Sequence, residues 1–145
     1  MIVVLDTNVL VSATIQERGF SAHIRRLWQA KRLQVATSEE ALSEYRRVLS
    51  YPRVIKRHHL PAQALDGVVK RLREKAIVVS GKVAVGTVSE DADDDKSLSI
   101  AVEANAGAIV SGDPHLLNLN VFRGIPIMKP RDFVEMFLAE KEKAA

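Results

Sequence analysis

The order in which apolar patterns follow one another constrains the fold of this chain more than any other feature. Ile2-Val3-Val4-Leu5 is an unbroken run rich in β-branched residues, the pattern of a strand buried on both faces of a parallel sheet. Shorter runs of the same kind recur at Leu33–Ala36, Ala76–Val79, Ala108–Ser111 and Ile125–Met128. Between them the apolar spacing turns helical. Ala22–Lys31 places Ile24, Leu27, Trp28 and Ala30 along a helix. Ser38 is a good N-cap type, and Ala41, Leu42, Tyr45, Val48 and Leu49 then recur at i, i+1, i+4, i+7 and i+8, predicting an amphipathic helix that stops before Pro52. Pro61 is placed to open a further helix at its first position, with Leu65, Val68, Val69 and Leu72 on one face. Gly81–Ala92 is polar and irregular. Asp93–Asp95 precede a helix with Leu98, Ala101 and Val102 inward, and Asp132–Glu140 reads as a closing helix. Strands alternating with helices predict an α/β fold around a central parallel sheet, a single domain over residues 1–140 followed by a frayed tail at 141–145.

Composition narrows the chemistry. The 145 residues include no cysteine, which excludes a disulfide scaffold, a thiolate nucleophile and an iron–sulfur cluster, and fits a reducing cytoplasm. The longest uncharged run, Thr7–Gln16, is ten residues, far short of the ~20 a spanning helix needs. The expectation is a soluble, cytoplasmic protein with no membrane partner. Lys plus Arg number 21 against 18 Asp plus Glu, a mild basic excess that permits a nucleic-acid partner without demanding one.

The positions of the acids carry the functional signal. In an open parallel sheet, ligands bind beyond the carboxyl ends of the strands, where the strand order reverses. Asp6 directly follows the first strand and Asp113 follows the fourth. If those strands are neighbours, the two carboxylates share one edge. Asp95 lies at the mouth of the helix feeding the fourth strand, on the same side. On a helical wheel Glu44 borders the buried stripe set by Ala41 and Leu42, whereas Arg46 and Arg47 fall away from it. Each acid also has an ordinary structural use: Asp6 in a turn, Asp113 as an N-cap ahead of Pro114, the Asp93–Asp95 run against a helix dipole, Glu44 as a solvated helix residue. Together they are harder to dismiss. At an effective dielectric of 20, two charges ~5 Å apart repel by roughly 3 kcal/mol. Six such pairs would cost up to ~20 kcal/mol, more than the ~5–15 kcal/mol stability of a typical domain. Protonation or a cation must relieve them, and all-oxygen ligands suit Mg²⁺ or Mn²⁺ rather than zinc.

These residues resemble a known family. Val4-Leu5-Asp6-Thr7-Asn8-Val9-Leu10, Glu44 followed by Arg47-Val48-Leu49, Asp94-Asp95-Lys96 with Leu98 and Ala101, and Ile109-Val110-Ser111-Gly112-Asp113 are together similar to the PIN-domain ribonucleases. Within that family the chain looks most like the toxin components of toxin–antitoxin pairs (VapC-type), over Met1 to about Leu138. The resemblance implies a five-stranded, mostly parallel sheet in a three-layer α/β/α sandwich and Mg²⁺- or Mn²⁺-dependent cleavage of RNA. Its acidic residues fall on Asp6, Glu44, Asp95 and Asp113 as catalytic and metal-binding groups, with Asn8 and Ser111 supporting. Asp95 keeps the family spacing to Asp113; Asp94 is the second choice, and Asp91 and Asp93 stand close by. It further implies a homodimer, a small antitoxin partner, and products with a 5′-phosphate and a 3′-hydroxyl.

RNA must also be held. Arg46, Arg47 and Lys96 are the candidates nearest the acids, with Arg25, Arg26, Arg53, Lys56 and Arg57 further along. Aromatic content of 5% argues against an extended base-stacking platform. His58-His59 reads as a pair of solvated loop histidines, and Trp28 and Tyr45 as core. Two rivals are weaker. An aspartyl phosphatase needs a second acid at position 8, where Asn8 stands, and a receiver domain needs paired acids after the first strand. A PIN-like domain kept only as a binding module is the other alternative.

Overall fold

The computed structural model describes the backbone of residues 1–86 and 92–144 and the side chains of 1–86 and 96–141. In chain order the elements are β1 (Ile2–Leu5), α1 (Thr7–Ile15), α2 (Phe20–Gln29), β2 (Gln34–Ser38), α3 (Glu39–Leu49), α4 (Pro52–His58), α5 (Ala62–Lys75), β3 (Ile77–Val79), α6 (Ala92–Glu103), β4 (Ala108–Val110), α7 (Pro114–Leu117), β5 (Val121–Phe122), β6 (Ile125–Met128) and α8 (Pro130–Ala144). The strands form one sheet in the order β3-β2-β1-β4-β6-β5. All five expected strands are present and pair in parallel.

Among the described residues the sheet has six strands rather than five. The extra one, β5, pairs antiparallel with β6 at the edge. Two residues are too few to show a period in sequence. The signal lay in the turn: Arg123 and Gly124 both have positive φ (49° and 79°), the backbone of a two-residue hairpin loop whose twist matches the strands.

Side-chain alternation divides the core in two. Val3 and Leu5 of β1, with Val35, Ala108 and Val110, pack under the helices α1, α2, α3, α5 and α8. Val4, Ala36, Ile109 and Ile127 face the other way, under Leu98, Ile100 and Ala101 of α6 and Leu116 of α7. The result is a three-layer α/β/α sandwich. Burial on both faces is why β1 reads as a continuous apolar run; each side chain so buried stabilises the fold by roughly 1.5–3 kcal/mol before entropy is counted.

Several helices depart from expectation. α1 has no polar stripe to betray it, because Thr7, Val9, Leu10, Val11 and Ala13 are all buried. Pro61 caps α5 rather than opening it. α4 follows α3 at once, with proline in its first turn, where the sequence pattern predicts no helix and His58-His59 reads as loop. His58 is consequently not a solvated loop residue. Its Nδ1 accepts from the Leu60 N–H (2.9 Å), so Nε2 donates to the Leu49 carbonyl (2.8 Å), pinning the end of α4 to the end of α3. Tyr45 is fully buried, as expected. The closing helix runs over Pro130–Ala144, longer at both ends than the expected Asp132–Glu140.

Gly81 lets the chain leave β3 close to α3. Its φ is +70°, and a Cβ there would stand 2.9 Å from that of Ser38, the residue whose hydroxyl accepts from Ala41 N–H to cap α3. Among the described residues, no helix is long and apolar enough to cross a membrane.

Candidate functional site

β1 has β2 on one side and β4 on the other, so the strand order reverses between β1 and β4. Asp6 and Asp113 follow the carboxyl ends of those two strands, and the sheet joins them through one residue. Asp6 donates its N–H to the Val110 carbonyl (3.0 Å). Its Oδ1 accepts from Thr7 N–H (2.8 Å) as the N-cap of α1, and its Oδ2 accepts from the Ser111 hydroxyl (2.8 Å). Ser111 Oγ in turn accepts from Asp113 N–H (3.0 Å). The serine is fully buried, and its own N–H is fixed by the Met128 carbonyl of β6 (2.9 Å). Asp113 Oδ1 accepts from His115 N–H (2.9 Å) to cap α7 ahead of Pro114. Both aspartates thus perform the ordinary capping work the sequence allowed. Capping holds their carboxyl groups at the sheet edge rather than diverting them from it.

Electrostatics tie a third acid to this pair. Burial pushes the Asp6 carboxyl above its ordinary value, the Ser111 and Thr7 hydrogen bonds oppose the shift, and the charges of Asp113 and Glu44 add to it. Glu44 lies one and a half turns into α3, at the border of the buried face. Its Oε2 receives the Lys96 ammonium at 2.6 Å, both side chains only 13% exposed, while Glu40 Oε1 stands 3.7 Å from the same nitrogen. This clamp across α3 and α6 was not visible in sequence, where Lys96 stood only as a possible RNA contact. Partners 52 residues apart leave no local pattern.

The other named residues are placed as follows. Asn8 is exposed in the first turn of α1. Arg46 pairs with Asp66 of α5 (2.6 Å), and Arg47 is exposed. Asp94 and Asp95 fall in the first turns of α6, which runs into β4 and therefore begins at the carboxyl end of the sheet; their side chains, like that of Asp93, lie outside the described residues, and Asp91 lies outside them altogether. Lys96, next in sequence to Asp95, reaches the site. Grooves of about 190 and 440 Å³ flank Trp28, and neither is lined by Asp6, Glu44 or Asp113.

Among the described residues, no group of three or more His, Asp or Glu side chains is gathered closely enough to hold a metal ion. The chemistry of the donors nonetheless fits a hard divalent cation: oxygen-only groups, one of them half-buried with its charge disfavoured by desolvation and by two like-charged neighbours.

A family model described as a PIN domain matches residues 2–115. No curated protein matches the sequence. Among solved structures, the chain is similar to one in the crystal structure of VapBC2 from Rickettsia felis bound to a DNA fragment from their promoter: TM-score 0.57 and 15% identity, over 88% of this chain and 97% of that one. At that identity the likeness speaks for the fold. The family match, spanning β1 to the first turn of α7 and with it Asp6, Glu44, Ser111 and Asp113, shows that the chain belongs to the PIN domain family.

Proposed function

We propose that the chain is a divalent-metal-dependent ribonuclease that hydrolyses phosphodiester bonds in RNA, and that it serves as the toxin of a toxin–antitoxin pair in the cytoplasm. One observation carries the nuclease reading: a desolvated Asp6 at the strand-order reversal, hydrogen-bonded through Ser111 towards Asp113 and facing the charge of Glu44. The toxin reading is supported by the likeness to the VapBC2 structure, and brings with it an antitoxin that covers the site and a homodimer.

Mg²⁺ or Mn²⁺, held by carboxylate oxygens of Asp6, Glu44, Asp95 and Asp113, would supply positive charge at the scissile phosphate and acidify water there. The protein's own part is positional. Ser111 fixes the direction of the Asp6 carboxylate and, through Asp113 N–H, the chain that carries Asp113. Capping occupies one oxygen of Asp113 and leaves the other without a hydrogen bond among the described residues. Lys96 holds Oε2 of Glu44, so Oε1 is the oxygen left to orient a water for attack.

The test is cleavage of total cellular RNA with Mn²⁺ titrated from zero, beside Asp6→Asn. Discrete fragments from the native chain alone, with 5′-phosphate ends, are expected. No cleavage at any Mn²⁺ level would leave a PIN domain acting as a binding module.

A further inference from the structure

The basic excess of this protein resides in one short stretch. From Arg47 to Leu65 there are four cations, Arg47, Arg53, Lys56 and Arg57, and no acid; without those four, the chain carries 17 Lys plus Arg against 18 Asp plus Glu. The structure displays them in order. Arg53, Lys56 and Arg57 stand at i, i+3 and i+4 of α4, hence on one helix face, and all three are exposed while Val54 is buried beneath. The His58 hydrogen bonds fasten this helix to the end of α3. Some other cations are engaged, Arg46 with Asp66, Arg73 with Glu39 and Arg131 with Glu135, while Arg18, Lys70 and Lys129 are exposed elsewhere, apart from the cluster of Arg47, Arg53, Lys56 and Arg57. None of these four meets an acid among the described residues.

The patch is also continuous with the carboxylate site. Arg47 follows Glu44 by three residues on α3, a neighbour on the helix surface about 4.5 Å further along the axis, and α4 begins five residues later. We propose that Arg47 and the Arg53–Lys56–Arg57 face of α4 form the track that holds the phosphate backbone of a single-stranded RNA leading away from the site. This rests on the ribonuclease reading above. Guanidinium forks suit phosphate oxygens. A protein partner would want an apolar centre to the patch, and the exposed large apolar residue here is Tyr51 alone, at the N-cap of α4, better placed to stack on a base.

The experiment measures binding of a fluorescent 12-nucleotide oligouridylate to the full chain, in EDTA so that nothing is cut, between 50 and 200 mM NaCl. Each phosphate contact on a single strand contributes about 0.7 to the slope of log Kd against log salt. Arg53→Gln/Lys56→Gln/Arg57→Gln should flatten the slope by about 2 and weaken binding at least tenfold at the lowest salt, with an unchanged melting temperature. Arg53→Lys/Arg57→Lys should keep the slope. An equal charge loss at Arg18, Lys70 and Lys129 should leave it near that of the native chain. An unchanged slope in the α4 variant overturns the proposal, as does equally effective competition by polyglutamate, which would mark a surface for an acidic protein. If the native chain cleaves RNA yet the α4 variant binds it normally, only the track is lost; if the native chain neither binds nor cleaves, the ribonuclease reading falls with it.

Discussion

Asp6 stands in a conflict between its cap and its burial. Its two hydrogen bonds favour the carboxylate, yet burial and the facing charges of Asp113 and Glu44 outweigh them and raise its pKa above the ordinary 3.8. A carboxyl raised in the folded state costs stability above its folded pKa, and the cost fades as pH falls towards the unfolded value. Asp6→Asn, in EDTA, should therefore melt a few degrees higher than the native chain at pH 7.5, with the gap narrowing as pH is lowered towards 4. Added Mn²⁺ should reverse the order by stabilising the native chain alone. Ser111 makes the complementary case. Ser111→Ala removes the donor to Asp6 and leaves Asp113 N–H without its acceptor, beside a serine that is itself fully buried. A loss of about 1–3 kcal/mol in urea unfolding is expected, with Ser111→Thr retaining most of the stability. Asp6 and Asp113 were legible in sequence because each follows a recognisable strand, whereas Ser111, read as the end of the fourth strand, entered only through the family resemblance. Glu44, inside a helix, was legible by its place on a wheel and through the family resemblance. Its partner Lys96 was not, since no local spacing records which helix will lie across which.

The same contrast holds for whole elements. Helices with a polar face, α2, α3, α5 and α8, announced themselves by period. α1 did not, because it is buried on nearly every side, and an apolar run without alternation does not reveal its own geometry. α4 and β5 were too short to show any. What positions the site is nonetheless a contact between elements, the Lys96–Glu44 pair joining α6 to α3. Lys96→Met would strand Glu44 at 13% exposure beside other acids, and breaking such a pair from one side costs about 3 kcal/mol. The expected outcome is a marked fall in unfolding free energy for Lys96→Met, a smaller one for Lys96→Arg, and partial recovery in Lys96→Met/Glu44→Gln, where the unpaired charge is gone. Additive losses in that cycle would show that the two residues do not act as a pair.

At the scale of the molecule, the region matched by the family model ends at residue 115, but the fold does not. β6 lies on the far side of β4 and supplies the carbonyl that holds Ser111 N–H. α8 sends Phe133, Val134 and Phe137 into the core beneath α2, each under 5% exposed. A chain cut after His115 would leave β4 as a bare edge, release the Ser111–Asp113 turn, and lose two buried phenylalanines worth about 3–5 kcal/mol apiece. Against a total of about 5–15 kcal/mol, residues 1–115 should not fold, and far-UV circular dichroism should show a chain without a thermal transition. A cut after Glu140 removes only the end of α8, beyond Phe137, the last buried residue of that helix among the described residues. Residues 1–140 should keep the native melting temperature within a degree or two, which would place the domain boundary there. If residues 1–115 instead melt cooperatively, β4 is stable without β6, and the geometry that presents Ser111 and Asp113 does not depend on the strand beside it.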